Sequence, residues 1–254
     1  MKVTTYPVLI FVLSFLGMAL SARLGVFFNK RWRLPEGAVR DDFGIIQGAT
    51  LTLLGLIIGF TFSMALNRYD QRKNLEEEEA NAIGTEYARA GLLPPADAAK
   101  VRPLLIAYLE QRIAFYEATN FADVTKIDAR TARLQADLWS AVQAPAVAQP
   151  TPIVALVVEG MNDVLNSQGY TQAAWWNRIP DAAWGLMVTI AICANALFGF
   201  GVSDAKRESK LLLILPVIVA IAFFLIADID SPRNGLIQVD PQNLLSLAQS
   251  LKAQ

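Results

Sequence analysis

Two sets of charged side chains carry most of the chemistry open to this chain. Glu76, Glu77, Glu78 and Glu79 stand in one run, with Glu86 two helical turns further on. Carboxylate oxygens at that density could hold a hard cation. Four consecutive residues cover nearly all sides of a helix, so at least two of them must face water, and a solvated helix face is the plainer reading. The second set is Arg68, Asp70, Arg72, Arg178, Asp228, Asp230 and Arg233, gathered at the ends of long apolar segments. At a membrane boundary such charges either form an ion-pair network tying the second and fourth helices or line an ion-conducting vestibule. Asp228 follows its apolar run almost directly, where an unpaired carboxylate is costly.

Other reactive chemistry is scarce. The chain has no His, and its single Cys, Cys193, lies inside an apolar segment. Intrachain disulfides, Cys/His zinc sites and His-dependent nucleophilic triads are therefore excluded. Beyond the Glu run no paired-carboxylate pattern appears, so no enzyme, cofactor or metal site is expected. A net charge of −1 gives no basic face for nucleic acid.

A third set is uncharged. Gly48, Gly55, Gly59 and Ser63 fall on one helical stripe, centred on Gly55-x-x-x-Gly59-x-x-x-Ser63. Small residues at this spacing let helices approach closely in lipid, within a subunit or between subunits. Another face carries Leu54, Ile58 and Phe62, spaced by four. In an oligomer such a ring could gate by dewetting, although an apolar stripe can equally face lipid or core. Gln47 is the amide of this span and could face a pore or a partner helix.

The elements that must position these residues are membrane helices. Apolar residues make up 54% of the chain and charged ones 18%, against about 45–50% and 25% in soluble domains. Four segments reach the length needed to cross about 30 Å of hydrocarbon: Pro7 to Phe28, Phe43 to Leu66, Ala182 to Val202, and Leu211 to Ala227. The first is too long for a usual signal-peptide core, so an uncleaved helix is expected despite Ala19-Leu20-Ser21. Pro216 is expected to kink the fourth. Tyr6, Tyr69, Trp175, Trp176 and Trp184 read as interfacial anchors on the side of the large loop, and Trp32 on the other. An even number of crossings puts both termini on one side. Orientation is less sharply marked: Lys30, Arg31, Arg33, Arg40, Lys206, Arg207 and Lys210 in the short loops lean towards short loops inside and the large loop outside.

The expected fold is therefore an all-α membrane protein. Residues 1–66 hold the first two spans, 67–181 a helical extramembrane domain, 182–227 the last two spans, and 228–254 a turn and an amphipathic helix. The second span passes without Pro or Gly break into the charged, helix-favouring stretch Asn67 to Tyr87. Three apolar stripes follow: Val101, Leu105, Leu109, Ile113 and Tyr116; Ile127, Thr131, Leu134, Leu138 and Val142; Ile153, Val157, Met161, Val164 and Leu165. With the extended second helix they make a bundle of about four helices, with a flexible loop at Ala144 to Pro152. In the tail, Asp240 is placed to N-cap a helix beginning at Pro241, with Val239 and Leu244 as its staple. Its apolar residues Leu244, Leu247, Ala248 and Leu251 need a partner, expected to be the large-loop domain.

Two long blocks carry a resemblance. GLIIGFTFSMALNRYDQRKNLEEEEANAIGTEYARAGLLP (Gly55 to Pro94) and LIADIDSPRNGLIQVDPQNLLSL (Leu225 to Leu247) resemble the signature blocks of a widespread bacterial membrane family of unknown function described as bestrophin-like. Bestrophins, a more distant likeness, are pentameric anion channels with four membrane helices per subunit, a pore lined by the second helix and a helical cytosolic domain. The resemblance implies a multi-pass protein of the bacterial inner membrane, lying in the lipid bilayer as a homo-oligomer, with five subunits and an anion-conducting pore. It also implies a cytoplasmic large domain, opposite to the charge count. No bestrophin pore motif aligns residue by residue, so no site is carried over. The alternative is a non-conducting membrane scaffold or sensor whose helical domain binds a partner.

Overall fold

A computed structural model describes residues 5–31, 38–202 and 210–253, the side chains of 38–41 excepted. The anchor expected at Trp32 and the charges of Lys2, Arg33, Arg40, Lys206 and Arg207 lie outside what is described. Eight α-helices appear among the described residues, and no strand: α1 Pro7–Arg31, α2 Ala38–Ala90, α3 Pro95–Glu117, α4 Phe121–Ala148, α5 Pro152–Trp176, α6 Asp181–Gly201, α7 Ile214–Asp230 and α8 Gln242–Lys252. The chain divides into two compact units, Met1–Asn67 with Arg178–Gln238, and Arg68–Asn177 with Val239–Gln254.

The first unit holds α1, the first part of α2, α6 and α7. Four of the described helices are long and apolar enough to cross a membrane. Leu16, Leu20, Phe60 and Ile218 point outward and are more than half exposed, an apolar surface that suits lipid and not water. Inside, α1 and α6 meet at glycines: a Cβ on Gly25 would strike the Ala196 carbonyl, and one on Gly199 the Ala22 carbonyl. Ser21 Oγ donates to the Ile192 carbonyl across the same seam, at 2.7 Å. The close small-residue packing of this unit thus lies between α1 and α6, not on the Gly55/Gly59 stripe of α2. Pro216 sits in the first turn of α7, after a 3-10 turn at Leu211–Leu213, where its missing N–H would have had no helical partner. Pro216 thus stands close to where the helix passes from 3-10 to α, near the start of the fourth span.

The second unit is a helical bundle of the later part of α2 with α3, α4, α5 and α8. Its core gathers Ile83, Val101, Leu105, Tyr108, Leu109, Phe115, Leu138, Val157, Met161 and Val164, all buried. The third stripe starts one residue later than the spacing suggested: Val154 is buried while Ile153 is half exposed. Helix α4 continues through Pro145 to Ala148, leaving only residues 149–151 as the connection. In the last turn Pro145 costs one helical bond and still accepts from the Gln149 N–H.

Helix α8 docks in this unit through Leu244, with Leu247, Ala248 and Leu251 against the core. Its cap is not Asp240, which is exposed. Glu76 of α2 takes that role, accepting from the Leu244 N–H at 2.9 Å and from Asn243 Nδ2 at 2.6 Å. Trp175 is not an interfacial anchor either: it is buried against Phe115 and Tyr116, at 4.9 and 5.5 Å between centroids. Trp184 is buried edge-on to Phe223.

Candidate functional site

The candidate site is the membrane part of α2, followed along the same helix into its buried carboxylates. Helix α2 has 53 residues, or about 80 Å at 1.5 Å per residue. In the first unit one face of it is covered by the chain itself. Leu54 is 2% exposed, Thr61 and Ala65 are buried, and Ile58 and Phe62 are half-buried at the edge of that face. Phe43 meets Phe200 of α6 at 5.6 Å, and Gln47 Oε1 lies 3.4 Å from where a Gly201 Cβ would be. Gln47 and Leu54 therefore face the chain's own helices. As a pore-lining residue Leu54 is corrected, since a wall must be a surface the subunit leaves uncovered.

The opposite face is open. Gly48, Thr52, Gly55, Gly59 and Ser63 are exposed, and a Cβ on Gly48, Gly55 or Gly59 would meet nothing within 4 Å. Leu53, Leu56, Phe60 and Met64 flank this stripe and are also exposed. Burial orders the two stripes oppositely to their polarity: the large apolar stripe turns inward and the small one outward.

Several of the boundary charges are held within their own unit. Asp228, buried at the end of α7, accepts from the Leu236 and Ile237 N–H groups at 2.7 and 2.9 Å. Gly235 lets the turn close this tightly, because a Cβ there would collide with the Asp228 carbonyl. Asp230 pairs with Arg178 Nε at 3.0 Å and accepts from the Ile179 N–H at 3.2 Å, joining the end of α7 to the start of α6. Asp230 thus ties the third and fourth membrane helices. In the second unit Arg72 is buried and donates to the carbonyls of Ala174 and Asn177, both at 3.3 Å, at the C-terminal end of α5, where a cation suits the helix dipole. Arg68 and Arg233 are half-buried, and Asp70 is exposed.

Spacing alone gave little sign of the buried chemistry of the Glu run. Glu77 and Glu78 face water, but Glu76, Glu79 and Glu86 are buried. Glu79 accepts from Arg112 through Nε and Nη2, from Tyr116 Oη at 3.4 Å and from Thr171 Oγ1 at 3.3 Å. Arg112 also lies over the Phe115 ring, 4.5 Å from its centroid. Burial by itself would lower the Arg112 pKa, but the Glu79 charge and hydrogen bond, with Tyr108 and Tyr116, together outweigh it and hold the guanidinium above its ordinary value. Burial, then the Glu79 charge, push the Tyr116 hydroxyl up. Three buried glutamates thus have three separate environments, and no group of three His, Cys, Asp or Glu side chains that could hold a metal ion appears among the described residues. A signal was present: Arg112 follows Leu109 by three on α3, on the apolar side of the helix.

A helical unit with a lipid-suited surface and a helical bundle, with no strand among the described residues, define a class of integral membrane protein, and known structures share that fold. Two point variants of a bacterial bestrophin homolog from Klebsiella pneumoniae match with TM-scores of 0.65 and 0.66 at 14% identity, covering 94% and 97% of this chain and 98% of theirs. A zinc-phased structure of a bestrophin homolog from the same organism matches with a TM-score of 0.63 at 15% identity, over 95% of this chain and 98% of that one. No curated protein matches the sequence. The bestrophin-like domain spans residues 11–244, and the chain belongs to that family.

Proposed function

We propose that the protein is the subunit of a homo-oligomeric, anion-conducting pore of the bacterial inner membrane, five subunits surrounding an axis lined by α2. The observation that carries this reading is the uncovered small-residue face of α2. In a lone helix bundle in lipid, bare backbone at Gly48, Gly55 and Gly59 would have nothing to pack against, whereas around an axis it faces the pore or a neighbouring α2. Gly55, Gly59 and Ser63 then form the wall, and Ile58 and Phe62 at its edge are the side chains available to narrow it. Family membership and the bestrophin fold support the same reading.

The test is anion flux through purified protein in liposomes and planar bilayers, with native mass measured in parallel. Gly59→Leu should leave the single chain folded, because the space around Gly59 is open, and should lower flux by at least about tenfold. A wild-type monomer in mild detergent, or no current above empty membranes, would remove the pore and leave the partner-binding scaffold as the better reading.

A further inference from the structure

Glu86 is fully buried in the helical bundle, yet neither of its carboxylate oxygens has a hydrogen-bond partner. Its carboxyl reaches α5 at Gly160, where a Cβ would displace Glu86 Oε2 and Arg89 Nη1. Arg89, three residues along α2, turns its Nη1 to the Leu156 carbonyl at 3.4 Å and forms no ion pair with Glu86. Asp163 of α5 faces the same carboxyl and opposes its charge. The contrast with Glu79 and Glu76, which accept four and two hydrogen bonds, is sharp. A buried carboxylate without donors is costly as an anion and tolerable as a neutral acid.

We propose that Glu86 is a proton-operated switch between α2 and α5: protonated while the two helices pack at Gly160, it releases its proton to water as pH rises, and the anion draws Arg89 from the Leu156 carbonyl and loosens α5. Burial pushes the Glu86 carboxyl up to about 8, with Arg89 pulling it partly back and Asp163 adding to the rise. The sign follows. An unfolded chain ionises this group near 4.5, so the packed state holds the extra proton between about 4.5 and about 8. Packing is therefore strongest below that window and weakens as pH rises through it. The switch is built into the bundle, so it stands or falls independently of conduction.

The test is amide hydrogen exchange of the full-length protein in detergent, corrected for the intrinsic pH dependence, from about pH 4 to about pH 9.5. Protection over the Pro152–Asp163 part of α5 should fall by up to about tenfold per pH unit between about 4.5 and about 8, and level off above that. Glu86→Gln, which mimics the neutral acid, should flatten the profile. Arg89→Gln should carry the fall to higher pH before it levels off, because Arg89 favours the anion. Infrared difference spectra should show a protonated carboxylic acid near neutral pH in wild type that Glu86→Gln lacks. An unchanged pH profile in Glu86→Gln, or no such band in wild type, overturns the proposal. Should Glu86→Gln not fold, the wild-type band and the Arg89→Gln shift decide it.

Discussion

Arg112 and Glu79 show how one residue commits its surroundings. Both side chains are wholly buried, and the pair is held by the phenol of Tyr116, the hydroxyl of Thr171 and the ring of Phe115. A buried pair adds little over a well-packed apolar pair, but breaking it strands a charge. Arg112→Leu should therefore destabilise the bundle by about 3–5 kcal/mol. The double change Glu79→Gln with Arg112→Leu should cost clearly less than the two single changes together. Urea or thermal unfolding of all three variants measures the difference, and strict additivity would mean that the pair is not coupled.

Helices in this molecule meet in two ways, and glycine reports which. Along the α1–α6 seam the backbones approach so closely that a side chain at Gly199 would strike the Ala22 carbonyl. Gly199→Leu should therefore lower the thermal midpoint of the purified protein in detergent, by about 1–3 kcal/mol or more, whereas Gly59→Leu should leave the single chain's stability within about 0.5 kcal/mol. Equal losses at both positions would show that the face of α2 read as open is covered. The tail helix obeys another rule. Leu244 anchors it, and Glu76, a residue 168 positions earlier, supplies the cap that the local sequence assigned to Asp240. Glu76→Ala should cost about 0.5–2 kcal/mol and expose the tail to limited proteolysis.

For the molecule as a whole the topology is the open quantity, and it has a direct reading. Four crossings with the bundle between the second and third place α8 and the bundle on one side and Lys210, just before α7, on the other. In a Cys193→Ala background, cysteines at Ala129 and Ser250 should react together with an impermeant maleimide, and one at Lys210 from the opposite face. Labelling of Lys210 together with Ala129 would end the four-span arrangement. The resemblance read from the sequence implies a cytoplasmic bundle, while the short-loop Lys and Arg residues imply the opposite side. The same experiment on inside-out and right-side-out vesicles chooses between them.

The number of membrane helices, the unbroken run from the second span into charged sequence, and most of the bundle's stripes were legible in the sequence, because periodicity and uncharged length are local properties. The family blocks were legible too. Which face of α2 turns inward was not: Leu54 and Gly59 lie on one helix with equal claims to any surface, and only packing within its unit assigns Leu54 to the interior. Nor was the fate of the Glu run, since a carboxylate is normally placed in water and only distant donors make its burial possible. Arg112, Tyr116 and Thr171 come to Glu79 from α3 and α5, and the Leu244 N–H comes to Glu76 from the far end of the chain. Glu86 received no donor at all, so its burial is visible only in three dimensions. Sequence determined where the helices run, because that depends on neighbours in the chain; tertiary structure decided what each face meets, because hydrogen-bond partners and buried surfaces depend on neighbours in space.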